Sequence, residues 1–113
     1  MEVKKDSKVV LETPVFNVEM AHVVLPNGKV EERWFVVKSG VSFIIPIDAQ
    51  GNILLVKEWR SAIENYAWRI PAGKRDKNED FLATAKRELR EETGFDAKNY
   101  EEVERIKPAS AWL

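Results

Sequence analysis

An α/β fold is predicted for this chain of 113 residues, with an N-terminal β-hairpin and one central helix. Three observations predict it. Strand-like apolar stretches fill the first half, a single strongly periodic helix follows at 79–93, and the length suits one domain. The composition is 44% hydrophobic and 33% charged, which is enough apolar residue for a core and excludes disorder as a whole-chain reading. Eighteen basic residues against 19 acidic leave a formal net charge of -1, so no global field draws nucleic acid or an anionic membrane. Cysteine is absent, which excludes a disulfide framework and thiolate chemistry, and the single His22 cannot form a histidine cluster. No apolar run approaches the ~18 residues of a membrane helix, and MEVKKDSKVV lacks the pattern of a secretory signal. A soluble, cytoplasmic protein with no nucleic-acid and no membrane partner is expected.

The elements follow in order. Val15, Val18, Met20 and Val23 lie in a β-rich stretch that stops at Pro26-Asn27-Gly28, a strong turn signal, and Lys29–Lys38 returns beside it. This N-terminal hairpin is placed at about 9–38. Two apolar runs, Val41–Ile47 and Ile53–Val56, flank the polar loop Asp48-Ala49-Gln50-Gly51-Asn52 and predict a second hairpin buried on both faces. Ser61–Asn65 reads as an irregular connection and Trp68–Ile70 as a short extended segment, broken by Pro71-Ala72-Gly73. The helix has Asp76 or Asn78 as candidate N-cap, a possible Asp76–Glu79 capping box, and Gly94 as its stop. A last strand is predicted at Val103–Ile106, before Pro108.

The helix carries the chemistry. Phe81, Leu82, Ala85 and Leu89 share one stripe, the expected core face, and Glu88 and Glu92 flank it one turn apart. Arg87 and Glu91 make a favourable i,i+4 pair, whereas Glu88 and Glu92 repel each other at the same spacing. Glu91 and Glu92 also crowd the C-terminal turn, where the helix dipole disfavours anions. Either this is an ordinary charged surface helix, or a divalent cation compensates the carboxylates.

The segment GKRDKNEDFLATAKRELREETGF, residues 73–95, resembles the Nudix box at each of its specified positions. The hairpin, the Pro-Ala-Gly segment and the helix that follows it are what the Nudix fold places there. The resemblance implies an α/β/α sandwich around a mixed sheet. It also implies hydrolysis of a nucleoside diphosphate linked to another moiety, with Mg²⁺ or Mn²⁺. Carried onto this chain, it makes Glu88 and Glu92 the carboxylate ligands, the Ala72 carbonyl a neutral ligand and Glu91 an auxiliary one. Arg87 would orient the glutamates, and Glu79 would support the loop. Oxygen-only ligation suits Mg²⁺. The reaction would be displacement at phosphorus, with the cation neutralising the pyrophosphate and acidifying an attacking water.

Lys57-Glu58-Trp59-Arg60, Tyr66-Ala67-Trp68 and Ile70-Pro71-Ala72-Gly73 are similar to the ADP-ribose and nucleotide-sugar pyrophosphatase branch. There Arg60 would contact the substrate phosphates, with Gly73 beside them. Trp34, in Glu32-Arg33-Trp34-Phe35, resembles an aromatic residue that stacks on adenine, with Arg33 its neighbour in the substrate site. Trp34, Val36 and Lys38 could equally be one face of a strand. ADP-ribose, split to AMP and ribose 5-phosphate, is the expected substrate, and a homodimer paired through the N-terminal strands is the expected assembly.

Two departures stand out. Many members of this branch carry a glutamate where this chain has Arg69, which could add a phosphate contact or pair with a nearby carboxylate. Family members also continue past the segment 107–113 with further strands, a glutamate-bearing loop and a closing helix, so the chain reads as C-terminally truncated. Two other functions therefore stay open. One is a catalytically incomplete, binding-only fragment. The other is a hydrolase of dinucleoside polyphosphates or nucleoside triphosphates. From the sequence, Glu92→Gln should abolish activity and raise metal-free thermal stability by relieving repulsion with Glu88.

Overall fold

The computed structural model describes residues 1–107. They form two compact units, one built on Met1–Ser39 and the other on Gly40–Arg105.

The N-terminal unit is an antiparallel sheet of β1 (Val3–Lys4), β2 (Lys8–Glu12), β3 (Asn17–Val24) and β4 (Val30–Val37). β3 is its centre, with β4 along one edge and β1 and β2 end to end along the other. The expected hairpin forms between β3 and β4, with Met20 opposite Trp34 and Val24 opposite Val30. Alternation places Ala21 and Val23 in its core. Asn27 Oδ1 accepts from Lys29 N at 3.0 Å, and Gly28 takes the positive φ of 80° that the turn requires. β1 and β2 went largely unread, because every residue in them is exposed and neither carries a buried face.

The second unit contains β5 (Val41–Phe43), β6 (Val56–Arg60), β7 (Asn65–Arg69), β8 (Ala72–Lys74) and α1 (Phe81–Thr93). β5 pairs with β8, aligning Ser42 with Gly73, and β6 pairs with β7, aligning Val56 with Arg69. The second hairpin differs from its expectation. Val41–Ile47 and Ile53–Val56 meet only at an isolated bridge, Ile47 to Ile53. Pro46 has no N–H for a longer ladder, and the ends of both runs are taken by other partners, β8 and β7. Phe43, Ile45, Ile47, Ile53 and Leu55 are exposed in this structure rather than buried on two faces. The connection 61–65 is a tight turn, with Ile63 N bonded to Arg60 O and Glu64 at φ 48°.

Helix α1 starts later than its capping signals suggested. Asp80 is the N-cap, its Oδ1 accepting from Ala83 N at 2.7 Å, while Asn78 sits in the left-handed region at φ 68°. Asp76 and Glu79 do meet, Asp76 N donating to Glu79 Oε2 at 3.2 Å, but they close the preceding loop. Gly94 ends the helix as expected, at φ 75° with its N–H on Arg90 O. The helix packs on β5 and β8. Leu89 is buried, Phe81 and Ala85 are half-buried, and Leu82 points outward at 49% exposure. Thr84 is completely buried in its stead, because its hydroxyl lies 2.8 Å from Glu79 Oε2 and 3.0 Å from Asp80 O. Ser42 Oγ donates to Phe81 O at 2.8 Å and ties β5 to the first turn.

The architecture is the expected α/β fold with a hairpin and a central helix. Among the described residues every strand pair is antiparallel and α1 is the one helix, so neither the parallel pairing of a mixed sheet nor a second helical layer is among them. Val103–Ile106 is not a strand, since no described edge receives it and both end residues are about four-fifths exposed (81% and 78%). Of the segment 107–113, all but Lys107 lies outside the described residues. Asp80→Ala should lower stability by about 1 kcal/mol in chemical denaturation, the usual loss for an N-cap.

Candidate active site

Three segments of the second unit build the site: the C-terminal end of β7, the strand β8, and one face of α1. Because α1 packs on β8, Glu88 and Glu92 reach two adjacent backbone positions. Glu88 lies against Gly73, where a Cβ would collide with its carboxylate. Glu92 Oε2 accepts from Ala72 N at 3.2 Å. A side chain at 73 would displace the Glu88 carboxylate, and the two glutamates one turn apart are set side by side on the start of β8.

Arg87 organises the other carboxylates. Its Nε and Nη2 clasp Glu79 at 2.6 and 3.0 Å, and Nη1 reaches Glu88 at 2.7 Å and Glu91 at 3.2 Å. Nη2 also donates to Lys74 O at 2.9 Å, fastening the helix to β8. The forked geometry is what a guanidinium offers and an ammonium does not. The Arg87 hydrogen bonds, first among several causes, hold the Glu79 carboxyl down at about 2 from its ordinary 4.5. Thr84 Oγ1 and Asp76 N, both within reach of Glu79 Oε2, lower it further. Glu79 in turn, ahead of Glu88, raises the Arg87 guanidinium.

Arg69, at the end of β7, makes the second cationic contact. Its Nε donates to Glu58 Oε2, and its Nη2 donates to Glu92 Oε1 at 3.0 Å. Nη1 and Nη2 lie 3.4 and 3.5 Å from the Ala72 carbonyl oxygen. Of the two uses open to Arg69, pairing with a carboxylate is the one formed. The Arg69 hydrogen bond leads the causes that lower the Glu58 carboxyl. The repulsion expected between Glu88 and Glu92 is therefore relieved by two guanidiniums, Arg87 on the first and Arg69 on the second.

The donors fit a hard divalent cation. Glu88, Glu92 and the Ala72 carbonyl supply only oxygen, and two guanidiniums stand against five glutamates (Glu58, Glu79, Glu88, Glu91 and Glu92). No cluster of three or more metal-ligating side chains is preassembled among the described residues.

The remaining expected site residues are placed separately. Arg60, at the end of β6, is half exposed, with Nη1 3.5 Å from Glu58 Oε2. Arg33 and Trp34 belong to β4 of the N-terminal unit. Arg33 is paired with Glu2 and Glu31, each at 2.7 Å, and Trp34 is exposed with its Nε1 donating to Glu32 at 2.8 Å. His22, given no role, pairs with Asp6 at 2.9 Å. Thr84 and Glu58 went unnoticed as site residues. Thr84 had one signal, its place one turn before Glu88 on the same side of the helix.

Residues 37–111 match the family described as NUDIX domain. The chain belongs to the Nudix family. An ADP-ribose pyrophosphatase from Bacillus subtilis is 38% identical over 89 residues, which is 79% of this Nudix chain and 48% of that protein. A CMP-5'-(N-acetyl-N-hydroxy-3-aminopropyl)phosphonate hydrolase from Streptomyces rubellomurinus is 32% identical over 109 residues, 96% of this chain and 53% of that one. Among solved structures, an ADP compounds hydrolase is similar with a TM-score of 0.72 and 25% identity, over 87% of this chain and 54% of that one. The chain thus spans about half the length of the relatives it matches. Nudix enzymes generally use divalent metals, and no helix among the described residues is long and apolar enough to cross a membrane.

Glu79 is depressed in the folded state, so its stabilisation is complete above pH ~4.5 and is lost as pH falls toward 2. Urea denaturation of wild type and Glu79→Gln across that window should show a wild-type advantage at pH 5 that disappears by pH 2. The ion pair with Arg69 also reverses the sequence-based expectation for Glu92→Gln. Metal-free stability should fall, by about 1 kcal/mol for a partly exposed pair, in thermal melts with chelator.

Proposed function

We propose that this chain carries the catalytic helix of a metal-dependent pyrophosphohydrolase acting on a nucleoside diphosphate linked to another moiety, with ADP-ribose, split to AMP and ribose 5-phosphate, as the substrate. The observation that carries this reading is the convergence of Glu88 and Glu92 on Gly73 and Ala72, with Arg87 bracing the carboxylates from behind. The likeness to an ADP-ribose pyrophosphatase and to an ADP compounds hydrolase supports the substrate class.

Glu88, Glu92 and the Ala72 carbonyl would hold Mg²⁺ or Mn²⁺, with Glu91 as an auxiliary ligand. When bound, such a cation supplies charge neutralisation at the pyrophosphate and a more acidic water. The protein's own groups do the rest. Arg87 fixes the rotamers of Glu88 and Glu91, so that their oxygens are aimed before substrate arrives. Glu79, kept ionised by Arg87, holds that guanidinium in place. Gly73, having no side chain, leaves room for the Glu88 carboxylate to lie against the strand. Arg60, half exposed at the end of β6, is the candidate phosphate contact. A homodimer paired through the N-terminal strands belongs to the same proposal and is read by light scattering.

The purified chain with Mg²⁺ and ADP-ribose should release AMP and ribose 5-phosphate, and Glu88→Gln should slow release on the order of 100-fold while the fold persists by circular dichroism. Turnover of dinucleoside polyphosphates or nucleoside triphosphates in preference would move the substrate assignment. Metal-dependent nucleotide binding with no turnover of any of them would favour a binding-only role.

A further inference from the structure

Arg69 occupies a position that its neighbours make chemically specific. One guanidinium contacts both Glu92 Oε1, at 3.0 Å, and the Ala72 carbonyl oxygen, at 3.4 and 3.5 Å from Nη1 and Nη2. These are two of the three oxygens assigned above to the divalent cation. The contacts are not those of a loose surface arginine, since its side chain is 27% exposed and Glu92 is 22% exposed. Its Nε is anchored on Glu58, a residue of the paired strand β6 that lies outside the assigned ligand set.

We infer that Arg69 is a tethered cation seated on Glu92 and the Ala72 carbonyl, which a divalent metal must displace in order to bind. The inference rests on the metal-site assignment made under the proposed function. A guanidinium and a metal ion cannot both accept the same lone pairs at hydrogen-bonding and coordination distance, so metal affinity is reduced by the strength of the Arg69 contacts. Displacement leaves the arginine a defined resting place. Glu58 Oε2 holds Nε and also lies 3.5 Å from Arg60 Nη1. A guanidinium pivoting about that carboxylate stays next to Arg60, the candidate phosphate contact. An anionic diphosphate would then favour the displaced state, so that metal and substrate each help the other to bind.

The test measures metal binding without turnover. Mn²⁺ is titrated into the full chain and free Mn²⁺ is read by electron paramagnetic resonance, for wild type, Arg69→Gln and the double variant Arg69→Gln/Glu92→Gln. Arg69→Gln should bind Mn²⁺ about tenfold or more tightly than wild type, and the gain should vanish in the double variant. Equal or weaker binding by folded Arg69→Gln, with wild type binding normally, overturns the inference and leaves the metal site standing. Absence of Mn²⁺ binding in both wild type and Arg69→Gln overturns the metal-site assignment and the inference with it. Should the variant not fold, the wild type decides: its Arg69 Nη–H resonances should shift on saturation with Mg²⁺, and unmoved resonances overturn the inference.

Discussion

The grip of Arg87 on Glu79, Glu88, Glu91 and the Lys74 carbonyl is the interaction on which the rest of the site depends. It joins the loop before α1, the helix itself and the strand β8. Two further hydrogen bonds link the same segments, Ala72 N to Glu92 and the Thr84 hydroxyl to Glu79. A helix with carboxylates gathered in its last turns opposes its own dipole. Arg87 and Arg69 supply the opposing charge from within the chain.

The two arginines solve different problems. Arg87 bonds Glu79 through a two-pronged contact and is oriented by it, so its remaining nitrogen aims Glu88 and Glu91. It braces the carboxylates from the side of the Lys74 carbonyl. Arg69 bonds Glu92 and the Ala72 carbonyl, and it rests on Glu58. The same electrostatic neutralisation therefore aims Glu88 and Glu91 in one case and covers Glu92 and the Ala72 carbonyl in the other. Where each guanidinium lies relative to β8 makes the difference.

Much of this was legible along the chain. The Pro26-Asn27-Gly28 turn fixed the β3–β4 hairpin, because a left-handed glycine leaves few alternatives. Gly94 marked the helix end for the same reason. The glutamates at 88, 91 and 92 with Arg87 were readable because helical spacing alone puts them on one face. The N-cap was misplaced because Asp76, Asn78 and Asp80 are all good capping residues within one turn, and only the backbone angles choose among them. The Val41–Ile47 run misled because its pattern shows apolarity and not its partner, and that partner, β8, lies some thirty residues later.

The sequence by itself determined the family and the carboxylate face of the helix, since both follow from residue types at short, fixed spacing. Tertiary structure decided what neutralises those carboxylates. Arg69 and Glu92 are far apart in the chain, and no local rule pairs them. They meet because β8 follows β7 directly while α1 lies against β8, which brings the end of β7, the Ala72 carbonyl and the last turn of the helix to one place.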